Sequence, residues 1–137
     1  MFGKKKQPPI RTLIGEGNRI EGRLLYSDGL RIDGEVIGDV VAEGDVRSIL
    51  VISEKARVVG KVKGGHVIIN GTVEGPVESS ELLELQPKAR ITGDVRYQAL
   101  EMHQGASIQG GLIPLSVVEE SAYESMNSSL KLATSNG

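Results

Sequence analysis

"ARVVGKV" spans residues 56–62, "ARITGDV" spans 89–95 and "ASIQGGL" spans 106–112. One short chain thus writes nearly the same seven residues three times. Each copy has a Gly with an aliphatic residue two places before it and another two places after it. Taking that Gly as an anchor finds six such triples along the chain: Ile20-Gly22-Leu24, Val36-Gly38-Val40, Val58-Gly60-Val62, Val73-Gly75-Val77, Ile91-Gly93-Val95 and Ile108-Gly110-Leu112. The glycines are 16, 22, 15, 18 and 17 residues apart. Four places before each Gly stands a small or compact residue: Asn18, Gly34, Ala56, Gly71, Ala89 and Ala106.

A second signal precedes each triple. It is an alternating pair: Thr12-Ile14, Leu30-Ile32, Leu50-Ile52, Val67-Ile69, Leu83-Leu85 and Leu100-Met102. The anchoring Gly follows the second member by eight residues in four repeats, and by only six in "LRIDGEVIGDV" (30–40) and "VIINGTVEGPV" (67–77). There is therefore a longer and a shorter version of one unit. Alternation with period two is the signature of strands, and no helical period is sustained between residues 12 and 113. Short strands of three to five residues, recurring about every 17 with glycines near their ends, describe a β-helix. One rung cannot bury its inward side chains, whereas stacked rungs share an aliphatic column.

The fold expected is all-β: a single-domain, right-handed, three-sided parallel β-helix of about six rungs over residues 12–115. A β-sandwich fits six in-register triples poorly. A left-handed hexapeptide coil requires an aliphatic residue at every sixth position, a count these repeats do not keep. The stretch "VAEGDVRS" (41–48) adds residues between the second and third repeats, as a bulged corner or small loop would.

Composition agrees with a narrow interior. Of 137 residues, one is Phe, three are Tyr and none is Trp, so a core must be built of Val, Ile, Leu and Ala. There are 18 Gly and no Cys, which excludes disulfides and thiolate metal ligands and suits a reducing compartment. The net charge of −2 is unevenly placed. Residues 1–11 hold Lys4, Lys5, Lys6 and Arg11 and no acid, which leaves −6 on the rest. A basic arm on an acidic body calls for an anionic partner at the arm alone. Nucleic acid is not expected, because overall basicity and aromatic platforms are both missing. No apolar run approaches the ~18 residues of a membrane span. Gln7-Pro8-Pro9 and Arg11 stand where a secretory signal needs an apolar stretch, and Phe2 replaces the Gly that myristoylation requires.

The arm, residues 1–11, is expected to be disordered and to bind membranes. Met1 and Phe2 can enter the interface while Lys4, Lys5 and Lys6 face anionic headgroups. Burying Phe2 gives about 2 kcal/mol, and each lysine about 1 kcal/mol. One arm is then a weak ligand, and many arms on one assembly bind well. Residues 116–137, "SVVEESAYESMNSSLKLATSNG", leave the repeat and are expected to be mostly disordered, with a short helix near Val118–Met126 as an option.

Catalytic candidates are few. His66 follows Gly64-Gly65 at a corner, and His103 aligns with Ser53, Asn70 and Gln86, a polar and water-facing position. Neither has a carboxylate at metal-ligand spacing, so no metal site is expected. GxxxxGK[ST] and GxGxxG are absent, so no phosphate cradle and no cofactor are expected. Glu16, Asp39, Glu74 and Asp94 fall at turn or outward positions. An acyltransferase using His66 or His103 as base, or a monomeric binding module with a flat face, are the rival readings.

Six copies of [VI]xG[DK]V-like triples, together with "MFGKKK" at the start and no catalytic constellation, resemble the bactofilins, bacterial polymer-forming cytoskeletal proteins. The resemblance covers about 12–113 and extends to the arm. It implies end-to-end polymerisation without nucleotide, with Met1, Phe2 and the lysines attaching the polymer to the inner face of the cytoplasmic membrane. It also implies filaments that scaffold cell-wall hydrolases or synthases and influence cell shape. Family members often carry Phe in the last rung, where this chain has Ile108, so an aliphatic contact is expected in its place. Unpaired N–H and C=O groups at both ends of a β-helix point the same way, because monomeric solenoids cap them. The polymerisation surfaces expected are Ile14, Ile20 and Leu24 at one end and Leu100, Met102, Ile108 and Leu112 at the other.

Overall fold

The computed structural model of the protein describes residues 8–44 and 47–115. Sixteen strands form six rungs. The first rung holds β1 (Ile10–Ile14), β2 (Arg19–Glu21) and β3 (Leu24–Tyr26); the second holds β4 (Gly29–Ile32), β5 (Glu35–Ile37) and β6 (Val40–Ala42). The third holds β7 (Ile49–Ile52), β8 (Arg57–Val59) and β9 (Val62–Gly64), and the fourth opens with β10 (His66–Ile69) and β11 (Thr72–Glu74). The long strand β12 (Val77–Leu85) closes the fourth rung and opens the fifth; after β13 (Arg90–Thr92), β14 (Val95–Met102) closes the fifth and opens the sixth. β15 (Ser107–Gln109) and β16 (Leu112–Pro114) complete it.

Every pairing is parallel and joins one rung to the next. The pairings sort into three faces. β1, β4, β7, β10 and the C-terminal parts of β12 and β14 make the first face. β2, β5, β8, β11, β13 and β15 make the second. β3, β6, β9, the N-terminal parts of β12 and β14, and β16 make the third. The chain is thus the three-sided parallel coil of six rungs that its repeats require. β12 and β14 exceed the three to five residues expected of a strand because each runs through the corner between third and first faces, with a register shift in β12 between Ser79 and Leu82.

The triples line the interior. Val36, Val58, Val73 and Ile91 stack on the second face, and Val40, Val62, Val77 and Val95 on the third, all at most 2% exposed. Leu30, Leu50, Val67 and Leu83, and beside them Ile32, Ile52, Ile69 and Leu85, fill the first face. The register places like upon like, so each side chain meets one of similar shape a rung away, about 4.8 Å along the axis.

The anchoring glycines are dictated by backbone. Gly75 has φ of 152°, a region L side chains rarely adopt, and a Cβ there would strike the carbonyl of Gly60 one rung below. At the small position, space decides between Gly and Ala. Ala56 and Ala89 fit the long corners, but at the short corners the chain cuts inside. A Cβ on Gly34 would meet the carbonyls of Gly15 and Asn18, and one on Gly71 those of Ser53 and Ala56. The short corners of rungs two and four leave notches between the longer ones. Ion pairs span the notches: Lys55 Nζ lies 3.5 Å from Glu16 Oε1 and Lys88 Nζ 2.6 Å from Glu54 Oε1, each across two rungs.

A further interior column is not in the repeat. It runs Tyr26, Ala42, Gly64, Ser79, Tyr97 along the third face. Tyr26 lies 7% exposed, with its hydroxyl against Gly64 two rungs on. The small residues make room for that ring. Among the described residues its hydroxyl has no well-formed hydrogen bond, and burial pushes the phenol up to about 12, with the nearby Ser48 hydroxyl acting in the opposite direction. Ser48 and Ser79 are buried beside it. Ser48 Oγ accepts from Gly65 N at 3.0 Å and Ser79 Oγ donates to the Gly65 carbonyl at 2.6 Å.

Candidate assembly surfaces

The two ends differ from the middle in one respect. Inner strands pair on both sides, whereas among the described residues β1, β2 and β3 pair only upward and β15 and β16 only downward. Each end therefore shows a ring of backbone donors and acceptors around the termini of the aliphatic columns. At the first rung Ile14 is 6% exposed, and Ile20 and Leu24 are half-buried. At the sixth, Leu100 and Ile108 are half-buried, while Met102 is 43% and Leu112 47% exposed. All seven residues expected at the polymerisation surfaces thus end an inward column, and those column ends are barer at the sixth rung, although the first rung also carries exposed Ile10, Leu13 and Leu25. Pro114 and Tyr97, half-buried, and Tyr26 close the extra column, which the repeat did not reveal.

The outer surfaces are distinct. On the second face a charge ladder joins rungs one to four. Arg19 lies 3.1 Å from Glu21 and 3.5 Å from Glu35; Arg57 lies 3.0 Å from Glu35 and 2.7 Å from Glu74. The hydrogen bonds that Arg57 donates to Glu74 and Glu35 raise its pKa. At corners, Asp39 Oδ1 accepts from Lys61 N and Asp94 Oδ1 from Gly111 N, both at 2.9 Å. Of the four acids placed at turn or outward positions, Glu16 and Glu74 thus make ion pairs, and Asp39 and Asp94 bind backbone one rung on.

The histidines fare differently from each other. His66 is half-buried, and among the described residues both ring nitrogens lack partners. His103 is exposed, as its alignment predicted, but it does have carboxylate neighbours, contrary to the sequence reading. Its Nε2 lies 3.9 Å from both Glu84 and Glu101. Those acids stack in register on rungs five and six, a grouping that linear spacing hides. The three groups sit within 4.8 Å of one another on an open surface. Gln86 Nε2 donates to Glu84 at 3.0 Å.

Met1, Phe2, Lys4, Lys5 and Lys6, like the option of a helix at Val118–Met126, lie outside the described residues. Among the described residues no helix is long and apolar enough to cross a membrane. A depression of about 360 Å³ at the corner lined by Arg47, Ser48, Lys63 and Glu81 is open and mixed in charge.

Comparison with known proteins bears on what such ends are for. Residues 12–112 match the family model described as "Bactofilin: Polymer-forming cytoskeletal". The chain is similar to bactofilin BacP of Myxococcus xanthus strain DK1622, at 28% identity over 99 residues, 72% of this chain and 40% of BacP. It is also similar to bactofilin BacO of the same strain, at 30% identity over 111 residues, 81% of this chain and 85% of BacO. The chain thus spans less than half the length of BacP and most of BacO. No solved structure matches. A six-rung coil with open aliphatic ends, matched by the family model along all six rungs, is a member of the bactofilins, a family of polymer-forming structural proteins of the bacterial cytoskeleton.

Proposed function

We propose that this chain builds nucleotide-independent filaments by stacking coil upon coil, and that its basic arm holds them on the inner face of the cytoplasmic membrane. The observation that carries the reading is the sixth rung, with Met102 and Leu112 bare at the ends of columns that are dry elsewhere. A second coil set on that rung removes apolar surface from water and pairs the free backbone groups together. The lack of a phosphate-binding loop in the sequence supports assembly without nucleotide. Repetition of the arm along a filament turns a weak anionic-lipid contact into a firm one. A filament so placed is a scaffold for cell-wall hydrolases or synthases and a means of influencing cell shape.

The test uses two variants of the full chain. Leu112→Arg places a charge where the next coil would sit, on a side chain already 47% exposed, so the fold should survive. Circular dichroism should stay β-rich while electron microscopy shows no filaments, with or without ATP. Deletion of residues 1–7 should leave filaments intact and abolish pelleting with vesicles of anionic lipid. Long filaments from Leu112→Arg would refute end stacking at that rung, and undiminished pelleting by the deletion would refute the arm.

A further inference from the structure

The outer side of the first face carries a pattern of apolar and charged side chains. Its central outward column, in rung order one to six, reads Leu13, Arg31, Val51, Ile68, Glu84, Glu101. The neighbouring column reads Gly29, Ile49, His66, Leu82 and holds no carboxylate, Lys or Arg; Gly29 and Ile49 are buried, and His66 and Leu82 are half-buried. Val51 and Ile68 are half-buried with no charged side chain between them, and beside them lies a shallow groove of about 270 Å³. On the second face, by contrast, Arg19, Glu21, Glu35, Arg57 and Glu74 pair with one another.

The four inner members of that column are self-complementary, whereas the outermost two, Leu13 and Glu101, are not. A twofold axis between rungs three and four, perpendicular to the coil, exchanges rung three with four and rung two with five. Two copies laid face to face about this axis bring Val51 against Ile68 of the other, and Arg31 against Glu84 of the other, each contact made twice. Laid parallel, the same faces would oppose Arg31 to Arg31 and Glu84 to Glu84. The geometry points to a lateral contact between two copies of this chain, antiparallel, through the outer side of the first face. It is isologous, as closed pairs of identical chains require.

The charges are free to take part. Arg31 is 49% exposed and its present partner is Asp33, at 3.0 Å on its own strand. Glu84 accepts from Gln86 with one oxygen. A membrane is a poor occupant, since this side carries Glu84 and, on the next rung, Glu101. The face is smaller than the ~800 Å² per partner of a stable dimer, so one contact is transient. Its geometry does not depend on end-to-end growth. Its strength rests on that reading, because every coil added to a row adds another copy of the contact.

The chain has no cysteine, so one introduced thiol per molecule reports only contacts between molecules. Full-length Val51→Cys and Ile68→Cys proteins, mixed at high concentration, are treated with a bismaleimide that spans the ~10 Å between packed sheets. Covalent dimers between the two proteins are expected, and a Thr72→Cys control on the second face should give none. Adding Arg31→Glu to both proteins, or Glu84→Arg to both, should cut the yield roughly tenfold, since each reversal turns two attractive pairs repulsive. Both reversals together should restore it. Melting curves by circular dichroism should match the parent throughout. Because crosslinking captures transient contacts, it reads out even for the Leu112→Arg protein, which separates this contact from end stacking. Three results would overturn the proposal: no dimers, as when residues 116–137 cover the face instead; dimers indifferent to either reversal; or a double reversal that does not restore them.

Discussion

Tyr26 shows how one residue can depart from a repeat and still be built in. Valines two rungs apart never touch, but the Tyr26 ring lies along the axis and ends at Gly64. Gly64→Ala would place a methyl group on the phenol oxygen, an overpacking expected to cost about 1–3 kcal/mol. Tyr26→Phe removes that oxygen and the buried hydroxyl that has no well-formed hydrogen bond among the described residues. Alone it should be neutral or stabilising, and combined with Gly64→Ala it should recover much of the loss, as a double-mutant cycle of urea midpoints would read. An additive cycle would mean that the hydroxyl and Gly64 do not meet. The same phenol leaves a mark on pH dependence. Its folded value is raised from 10.0 to about 12 by burial. Above pH 10 the unfolded chain releases a proton that the folded chain retains, so stability falls as pH climbs from 10 to 12. Tyr26→Phe should flatten that stretch of the profile.

At the scale of the element, the repeat decided the corners, and the corners explain what was legible. The triples and alternating pairs state which side chains point inward because the period of two survives in every rung. The shortened repeats announced Gly34 and Gly71, and the structure gives the reason: their Cβ positions are occupied by carbonyls of the rung below. Gly71→Ala should therefore destabilise by more than about 2 kcal/mol, whereas Ala56→Gly, at a long corner, should cost about 1 kcal/mol through backbone entropy and lost packing. Equal urea midpoints for the two variants would contradict this account of corner length. Other features left no local trace. The Tyr26–Gly64 column is spread over three rungs with no common residue type. Glu84 meets Glu101 because β12 and β14 resume parallel pairing beyond the register shift at Ser79–Leu82, and His103 follows Glu101 by two residues. The seven residues expected at the ends of the coil do end inward columns, but the sequence could not rank them. Only packing reveals that Leu112 is bare and Ile14 is not.

For the whole molecule, the decisive fact is that the backbone of each rung is hydrogen-bonded only to its neighbours in the stack. Opening such a body does not require opening all of it. A terminal rung can detach by breaking one set of ladder bonds, whereas a central rung must part from two. Fraying should then advance from the ends, as it does in a one-dimensional chain of coupled units. Amide deuterium uptake in unassembled protein such as Leu112→Arg should be fastest in β1–β3 and in β15 and β16, and slowest near Val58 and Val73. Uniform protection along the six rungs would rule out this independence. Stacking the coils changes the boundary condition, because a rung that was terminal becomes interior. The time a bond stays closed then depends on its distance from the nearest free tip of the polymer rather than on its place in the chain. A long filament should exchange its old tips quickly and its middle hardly at all, so that length itself becomes the source of persistence.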